Sequence, residues 1–252
     1  MSYAAMNSKT IFMRNASKKY SQILGALINP RGYFIYPKEF YLHHRLSFSQ
    51  EGEDLVLSRI FDGQEAGFYV DVGAHHPQRF SNTYLFYLKG WRGINVDAMP
   101  GSMDAFNRLR PRDINLEIPI SNHPTEDLIY YEFDEPALNG FSKELSLERD
   151  RNTNYNIIST KVLKTERLGD ILSKYIKPLQ TIDFMSVDVE GLDYEVLLSN
   201  NWKEFRPKVL VVEDLKNKDE ATNSDIVNFL LSQGYRPYSK LMYSLILLRQ
   251  DQ

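Results

Sequence analysis

Tyr69-Val70-Asp71-Val72-Gly73-Ala74-His75-His76-Pro77 is the stretch from which the fold is read. Gly67 to Val72 is a short, nearly continuous apolar run, the pattern of a strand covered on both faces. A glycine follows at once, so the chain turns and a ligand can come close to its backbone. Open α/β sheets bind ligands beyond the carboxyl ends of their strands. Asp71 stands at such an end, where a ligand with a cationic amino-acid tail would want a carboxylate. It would serve equally as a plain cap on the turn. Only one glycine is present, without the G-x-G-x-x-G cradle, which counts against a dinucleotide and its pyrophosphate.

Outward from this turn, helices and strands alternate. Ser47 with Gln50 three residues on resembles a capping box, and Leu55, Val56 and Ile60 suit a helix ending near Asp62-Gly63. Helices are expected over 83–88, 102–109, 168–175, 193–198 and 224–232. Strands are expected over 94–97, 115–120, 181–189 and 208–213. Residues 128–165 read as irregular, with a hairpin inside 128–133 and a polar stretch over 148–156. The closing strands, 235–238 and 242–248, are joined by so few residues that they must pair antiparallel. The fold class is therefore α/β: a Rossmann-like, mostly parallel sheet with helices on both faces and an antiparallel C-terminal hairpin.

Composition narrows the function classes. Of 252 residues, 42% are hydrophobic and 25% charged, as in an ordinary globular chain. Thirty-three acids against thirty bases leave a net charge of -3, which disfavours nucleic-acid binding by charge alone. The chain has no cysteine, so disulfides, thiolate zinc, iron–sulfur clusters and a cysteine nucleophile are excluded. That fits a reducing, cytoplasmic setting. No apolar run is long enough for a transmembrane segment. Residues 1–46 form a separate, basic extension without an acid before Glu39. Tyr20, Ile23, Leu24, Leu27 and Ile28 recur at helical spacing there. This helix reads as packing on the domain or a partner subunit; a membrane or polyanionic surface and a transit peptide are the other readings. Residues 47–252 are the main domain, with 134–165 as an acceptor-binding insertion.

Two further strand ends carry acids. Asp97 lies close to where nucleotide-binding βαβ units place a ribose-binding carboxylate, with Ala98 and Met99 beside a base. In Asp183-Phe-Met-Ser-Val-Asp188-Val-Glu190-Gly191-Leu-Asp193, period-two alternation puts Asp188 and Glu190 on one side of an extended strand end. Buried carboxylates are costly unless solvated, paired or used. These two can act as general base, as metal ligands or against a cofactor's cation; a capping cluster held by Lys or Arg is the structural alternative. Glu213 repeats the geometry more weakly.

At this point the chain resembles the FkbM-type S-adenosylmethionine-dependent methyltransferases. The matching pieces are Phe48-Ser-Gln-Glu-Gly-Glu-Asp54, Asp71-Val-Gly-Ala74, Gly90-Trp-Arg-Gly-Ile-Asn-Val-Asp97-Ala98, Leu138-Asn-Gly-Phe-Ser142, Thr165-Glu-Arg-Leu168, Asp188-Val-Glu-Gly191 and Pro207-Lys-Val-Leu-Val-Val-Glu213. They run in the family's order from Ser47 to Leu248. The resemblance implies a class I methyltransferase fold with a seven-stranded sheet, S-adenosylmethionine as cofactor, and O-methyl transfer, often onto a sugar hydroxyl of a glycan or natural product. It places Asp71, Gly73 and Ala74 along the cofactor's methionine part and Asp97 on the ribose hydroxyls. Ser121 and Asn122 fall on the adenine side. Gln50, Glu53 and Asp54 approach the tail or the acceptor. Asp188 and Glu190 face the transferring methyl. The chain departs from the commoner family pattern at His75-His76-Pro77.

A sulfonium methyl is already activated, so the enzyme aligns an oxygen and excludes water. A neutral sugar hydroxyl also needs a base. His75, His76, Asp188 and Glu190 are the candidates, while His43-His44 reads as structural. No metal is called; His75, Asp188 and Glu190 are the ligand set if one is used, suited to magnesium or manganese. Phe133, Phe141 and Tyr155 can stack on sugar rings or simply pack. The expected acceptor is a carbohydrate or glycoconjugate, and the expected assembly a homo-oligomer. The rival functions are an NAD(P)-dependent oxidoreductase and a non-catalytic glycan- or partner-binding protein on the same scaffold.

Overall fold

Alternate residues of the central strands enter two different cores, and this is why those strands read as unbroken apolar runs. The computed structural model describes residues 45–124, 127–213 and 224–250; the helix expected near the N-terminus and His43-His44 lie outside them. The elements are α1 (Glu53–Ile60), β1 (Phe68–Val72), α2 (Tyr84–Leu88), β2 (Arg92–Asp97), α3 (Met103–Leu109), β3 (Ile114–Glu117), β4 (Asp127–Phe133), a 3-10 turn (Pro136–Leu138), α4 (Lys143–Asn152), β5 (Ile157–Lys164), α5 (Leu168–Tyr175), β6 (Phe184–Val187), α6 (Asp193–Leu198), β7 (Val209–Glu213), α7 (Asp225–Ser232), β8 (Tyr235–Lys240) and β9 (Ser244–Arg249).

The main sheet has seven strands in the order β3-β2-β1-β6-β7-β9-β8. Its first five strands pair in parallel. β9 is antiparallel to both of its neighbours, as the short closing connection requires. On one face Val70, Val72, Met185, Val187, Leu210 and Val212 pack against Leu168, Ile171 and Leu172 of α5, Val196 and Leu197 of α6, and Val227 and Leu230 of α7. On the other, Tyr69, Phe184, Val209 and Val211 meet Leu57, Phe61, Phe86, Tyr87 and Trp91. Fully burying each such side chain is worth about 1.5–3 kcal/mol. The reversal of strand order lies between β1 and β6, so the carboxyl ends of β1, β2 and β6 face one crevice. Among the described residues no helix is long and apolar enough to cross a membrane.

Several local expectations are corrected. Residues 128–165 are regular: β4 is one unbroken strand rather than a hairpin, and it pairs antiparallel with β5 in a second sheet. The polar stretch belongs largely to α4, whose N-cap Ser142 accepts from Leu145 N. The capping-box spacing of Ser47 and Gln50 is not used: α1 starts after Gly52, without a side-chain cap. Asp54 takes the available donors instead, accepting from Ser47 Oγ at 2.6 Å and from Phe48 N at 2.7 Å. β6 ends at Val187, so Asp188 and Glu190 are not alternate residues of a strand. They sit on a turn in which Glu190 has φ 56°.

Candidate active site

Strands β1, β2 and β6 end at a cleft partly open to solvent. Val72, Gly73, Val96, Asp97 and Asp188 line it from the sheet side, Tyr130 lines it from β4, and Asn139, Gly140 and Phe141 line it from the segment that joins β4 to β5. Gly73 has φ +81°, and a Cβ there would lie 1.7 Å from the Asp188 carbonyl oxygen. The turn therefore needs glycine for its conformation and for its contact with the end of β6. Gly73 N and Ala74 N both donate to Val96 O, at 2.9 and 3.1 Å, which binds the turn to β2.

Asp97 organises the rim. Its Oδ2 accepts from His75 N at 2.7 Å and its Oδ1 from Met99 N at 2.8 Å. Burial raises its pKa, and these two backbone bonds pull the other way. Each oxygen keeps a second lone pair for a ligand hydroxyl. His75 has φ 52°, and its ring stacks on Phe80 at 6.4 Å. Its Nε2 is sealed from solvent and has no partner among the described residues. Burial, then the Arg79 charge, lowers the His75 pKa to about 4, so the ring is neutral at pH 7. His76 does other work: its Nδ1 accepts from Gln78 N and Arg79 N and closes the turn.

The opposite end of the cleft is acidic. Asp188 follows β6, Glu190 sits on the turn, and Glu213 ends the neighbouring strand β7. One oxygen from each lies within 4.8 Å of the others. Glu190 Oε2 accepts from Arg149 Nη2 at 2.5 Å. Burial first, then the Glu190 charge, holds the Asp188 pKa well above its ordinary value. Glu213 is pushed up to about 11 by burial and then by Asp188. Asp193, raised to about 7 mainly by burial, accepts from Val189 N and Gly191 N and fixes the turn. Such crowded like charges do not all ionise together, so the group holds at least one proton near neutrality.

Gln50, Gly73, His75, Asp97, Ala98, Asp188 and Glu190 thus meet at one cleft. Glu53 lies in a smaller adjoining recess with Glu51, Asp188 and Glu213, its Oε1 accepting from Ser244 Oγ at 2.7 Å. Other residues singled out in the sequence are elsewhere. Asp71 points to the face of the sheet opposite Val70 and Val72, where Thr83 Oγ1 donates to it at 2.6 Å. Thr83 in turn accepts from the buried Arg110. Ala74 packs with Met103 and Phe106. Asp54 serves the start of α1. Ser121 accepts from His123 N through its hydroxyl, and neither it nor Asn122 lines the cleft. Sequence reasoning passed over Arg149, Tyr130, Asn139 and Phe80. Asn139 did lie within a quoted motif, whereas Arg149 is one of several charges in a polar helix and carried no signal of its own.

A family model described as the Methyltransferase FkbM domain matches residues 71–237. No curated protein sequence matches the chain significantly. Among solved structures, the chain is similar to a crystal structure of an O-methyltransferase from Bacillus cereus in complex with SAH. The identity is 12% and the TM-score 0.37, over 81% of this chain and 82% of that one.

Proposed function

The chain belongs to the methyltransferase FkbM family, a family of S-adenosylmethionine-dependent enzymes, and from that premise we propose that it methylates an oxygen, the acceptor being a sugar hydroxyl of a glycan, polysaccharide or glycosylated natural product. One observation carries the site assignment: Gly73, Asp97 and Asp188, from three different strand ends, line a single cleft. The residues present fit the cofactor. Asp97 has lone pairs left for a vicinal diol, Ala98, Met99, Ile118 and Ile120 offer an apolar strip for a flat base, and Gly73 brings bare backbone to the rim.

When bound, S-adenosylmethionine supplies a methyl group already activated by its sulfonium. The chain's own residues then orient and dry the reaction. Asp97 takes the ribose hydroxyls while holding His75 and Met99 in place. Phe80, Tyr130 and Phe141 present aromatic faces that exclude water and suit a pyranose ring. The ionised member of the Asp188, Glu190 and Glu213 group accepts the acceptor's proton, a contribution of about two to four powers of ten in rate. His75, neutral at pH 7 and weakly basic, is the second candidate. Asp71 bears on the cofactor turn only indirectly, through Thr83 and then Arg110, which donates to Pro77 O.

Calorimetry with S-adenosylhomocysteine and with NAD tests the cofactor. Binding of the first alone is expected. Binding of NAD alone would support an oxidoreductase, and binding of neither a non-catalytic scaffold. A methylation screen over nucleotide sugars and short oligosaccharides tests the acceptor. Methyl transfer to another class of hydroxyl, with none to sugars, overturns the carbohydrate reading.

A further inference from the structure

Asp188, Glu190 and Glu213 are arranged more tightly than proton transfer requires. Their nearest carboxylate oxygens lie within 4.8 Å of one another. Magnesium binds oxygen at about 2.0–2.1 Å, which places opposite ligand oxygens about 4.0–4.2 Å apart and adjacent ones closer. Independently of that spacing, two of the oxygens lack partners. Asp188 Oδ1 and Glu213 Oε2 have no solvent-accessible surface to speak of and accept no hydrogen bond among the described residues. Asp188 is partly buried and lines both the cleft and the adjoining recess. The surrounding acids are already engaged: Asp193 with Val189 N and Gly191 N, and Glu53 with Glu51 N and Ser244 Oγ.

We propose that Asp188, Glu190 and Glu213 form a binding site for a divalent cation, magnesium or manganese, at the acceptor end of the cleft. The charges agree with this. Once the cation has displaced the shared proton, three carboxylates less the Arg149 guanidinium leave two negative charges for one dication, and Arg149 occupies only Oε2 of Glu190. An all-oxygen set without His or Cys selects magnesium or manganese over zinc. His75 is not part of the group. Asp188 and Glu190 border the main cleft, while Asp188 and Glu213 border the recess. A cation between them has positions open to an acceptor hydroxyl. For its chemistry, though not for the binding itself, the inference rests on the methyltransferase reading. The cation lowers the pKa of the hydroxyl. With the cation on these three carboxylates, metal activation replaces proton transfer to one of them: the hydroxyl proton leaves to solvent, the oxygen lone pair forms the O–C bond, and the S–C electron pair returns to sulfur.

The test uses the full chain freed of metal by chelator and then titrated with Mn2+, free Mn2+ being read by electron paramagnetic resonance. S-adenosylhomocysteine binding is measured on the same samples by calorimetry. One saturable Mn2+ per chain is expected, retained in the presence of S-adenosylhomocysteine. It should be weakened at least tenfold in Glu213→Gln and, separately, in Asp188→Asn, both checked for native circular dichroism. Absence of saturable Mn2+ binding to wild type overturns the proposal, as does unchanged affinity in Glu213→Gln. Expulsion of Mn2+ by S-adenosylhomocysteine also overturns it, because the acids then serve the cofactor's ammonium group. Mn2+ binding without S-adenosylhomocysteine binding upholds the metal site and instead defeats the methyltransferase reading.

Discussion

The guanidinium of Arg149 lies 2.5 Å from the carboxylate of Glu190, fastening α4 to the turn that follows β6. The same arginine donates to Leu138 O at 3.3 Å. Beside it, a Cβ on Gly140 would come within 3.1 Å of the Glu190 Cβ. The segment between β4 and β5 is thus tied to the turn carrying the proposed catalytic acids through one charged side chain. In Arg149→Met that tie is lost and Glu190 is left without its cation. A hydrogen bond between charged groups contributes about 1.5–3 kcal/mol, or roughly ten- to hundredfold. Methyl transfer to the acceptor found in the screen should fall at least tenfold. Affinity for S-adenosylhomocysteine should stay within about threefold, because Arg149 is remote from Asp97 in role. Equal losses in both would place Arg149 in cofactor binding instead.

Asp97→Ala removes the proposed ribose acceptor and frees the N–H groups of His75 and Met99. Calorimetry should show the dissociation constant for S-adenosylhomocysteine rising at least about thirtyfold, roughly 2 kcal/mol, the size of one lost charge-assisted bond. Asp97→Asn keeps the shape and one acceptor oxygen, so its loss should be smaller. Wild-type affinity in Asp97→Ala refutes the ribose role.

What could be read from the residues follows from the range of the forces involved. The strands of the main sheet declare themselves because burial on both faces demands apolar runs such as Val209 to Val212. Strand-end acids such as Asp97 and Asp188 declare themselves because a carboxylate there is costly unless it is used. The β4–β5 sheet did not. Its pairing joins Ile129 to Val162 across more than thirty residues, and β5 leaves Ile158 and Val162 exposed, so its alternation does not resemble a buried strand. α4 is polar nearly all round and gives no helical period. Asp71 illustrates a different failure. Its position at a strand end was legible, yet neighbouring Val70 and Val72 enter the core on one face of the sheet, and Asp71 faces the other. There Thr83 and Arg110 claim it.

That network yields a stability prediction. Arg110 and Asp113 are fully buried and paired at 2.8 Å, and Arg110 also donates to Tyr69 and Thr83, each at 3.0 Å. Removing one partner of a buried ion pair costs about 3–5 kcal/mol, because the other charge is stranded. In Arg110→Met the abandoned groups include Asp113, which otherwise binds Gly93 N and Asn95 Nδ2. Chemical denaturation should show a loss of that size, with a fall in Tm of about 6–20 °C. A loss below about 1 kcal/mol would mean that water or rearrangement satisfies Asp113.

Glu213 gives the pH dependence its sign. Its pKa in the folded, metal-free chain is raised from 4.5 to about 11, by burial and then by Asp188. The folded state therefore keeps a proton that the unfolded chain releases above its ordinary value. Stability from this group is fully present below about pH 4.5 and is lost as pH climbs toward 11. Glutamine imitates the protonated form and does not titrate. In chelator, wild type and Glu213→Gln should melt together near pH 4.5 and separate as pH rises, the variant being more stable by about 3 °C or more at pH 9. Asp193, raised to about 7, contributes with the same sign in both proteins, so the difference between the two curves reports Glu213 together with its coupling to the neighbouring acids. Parallel curves across this range in scanning calorimetry would show that Glu213 is ionised in the folded chain without any cation to compensate it.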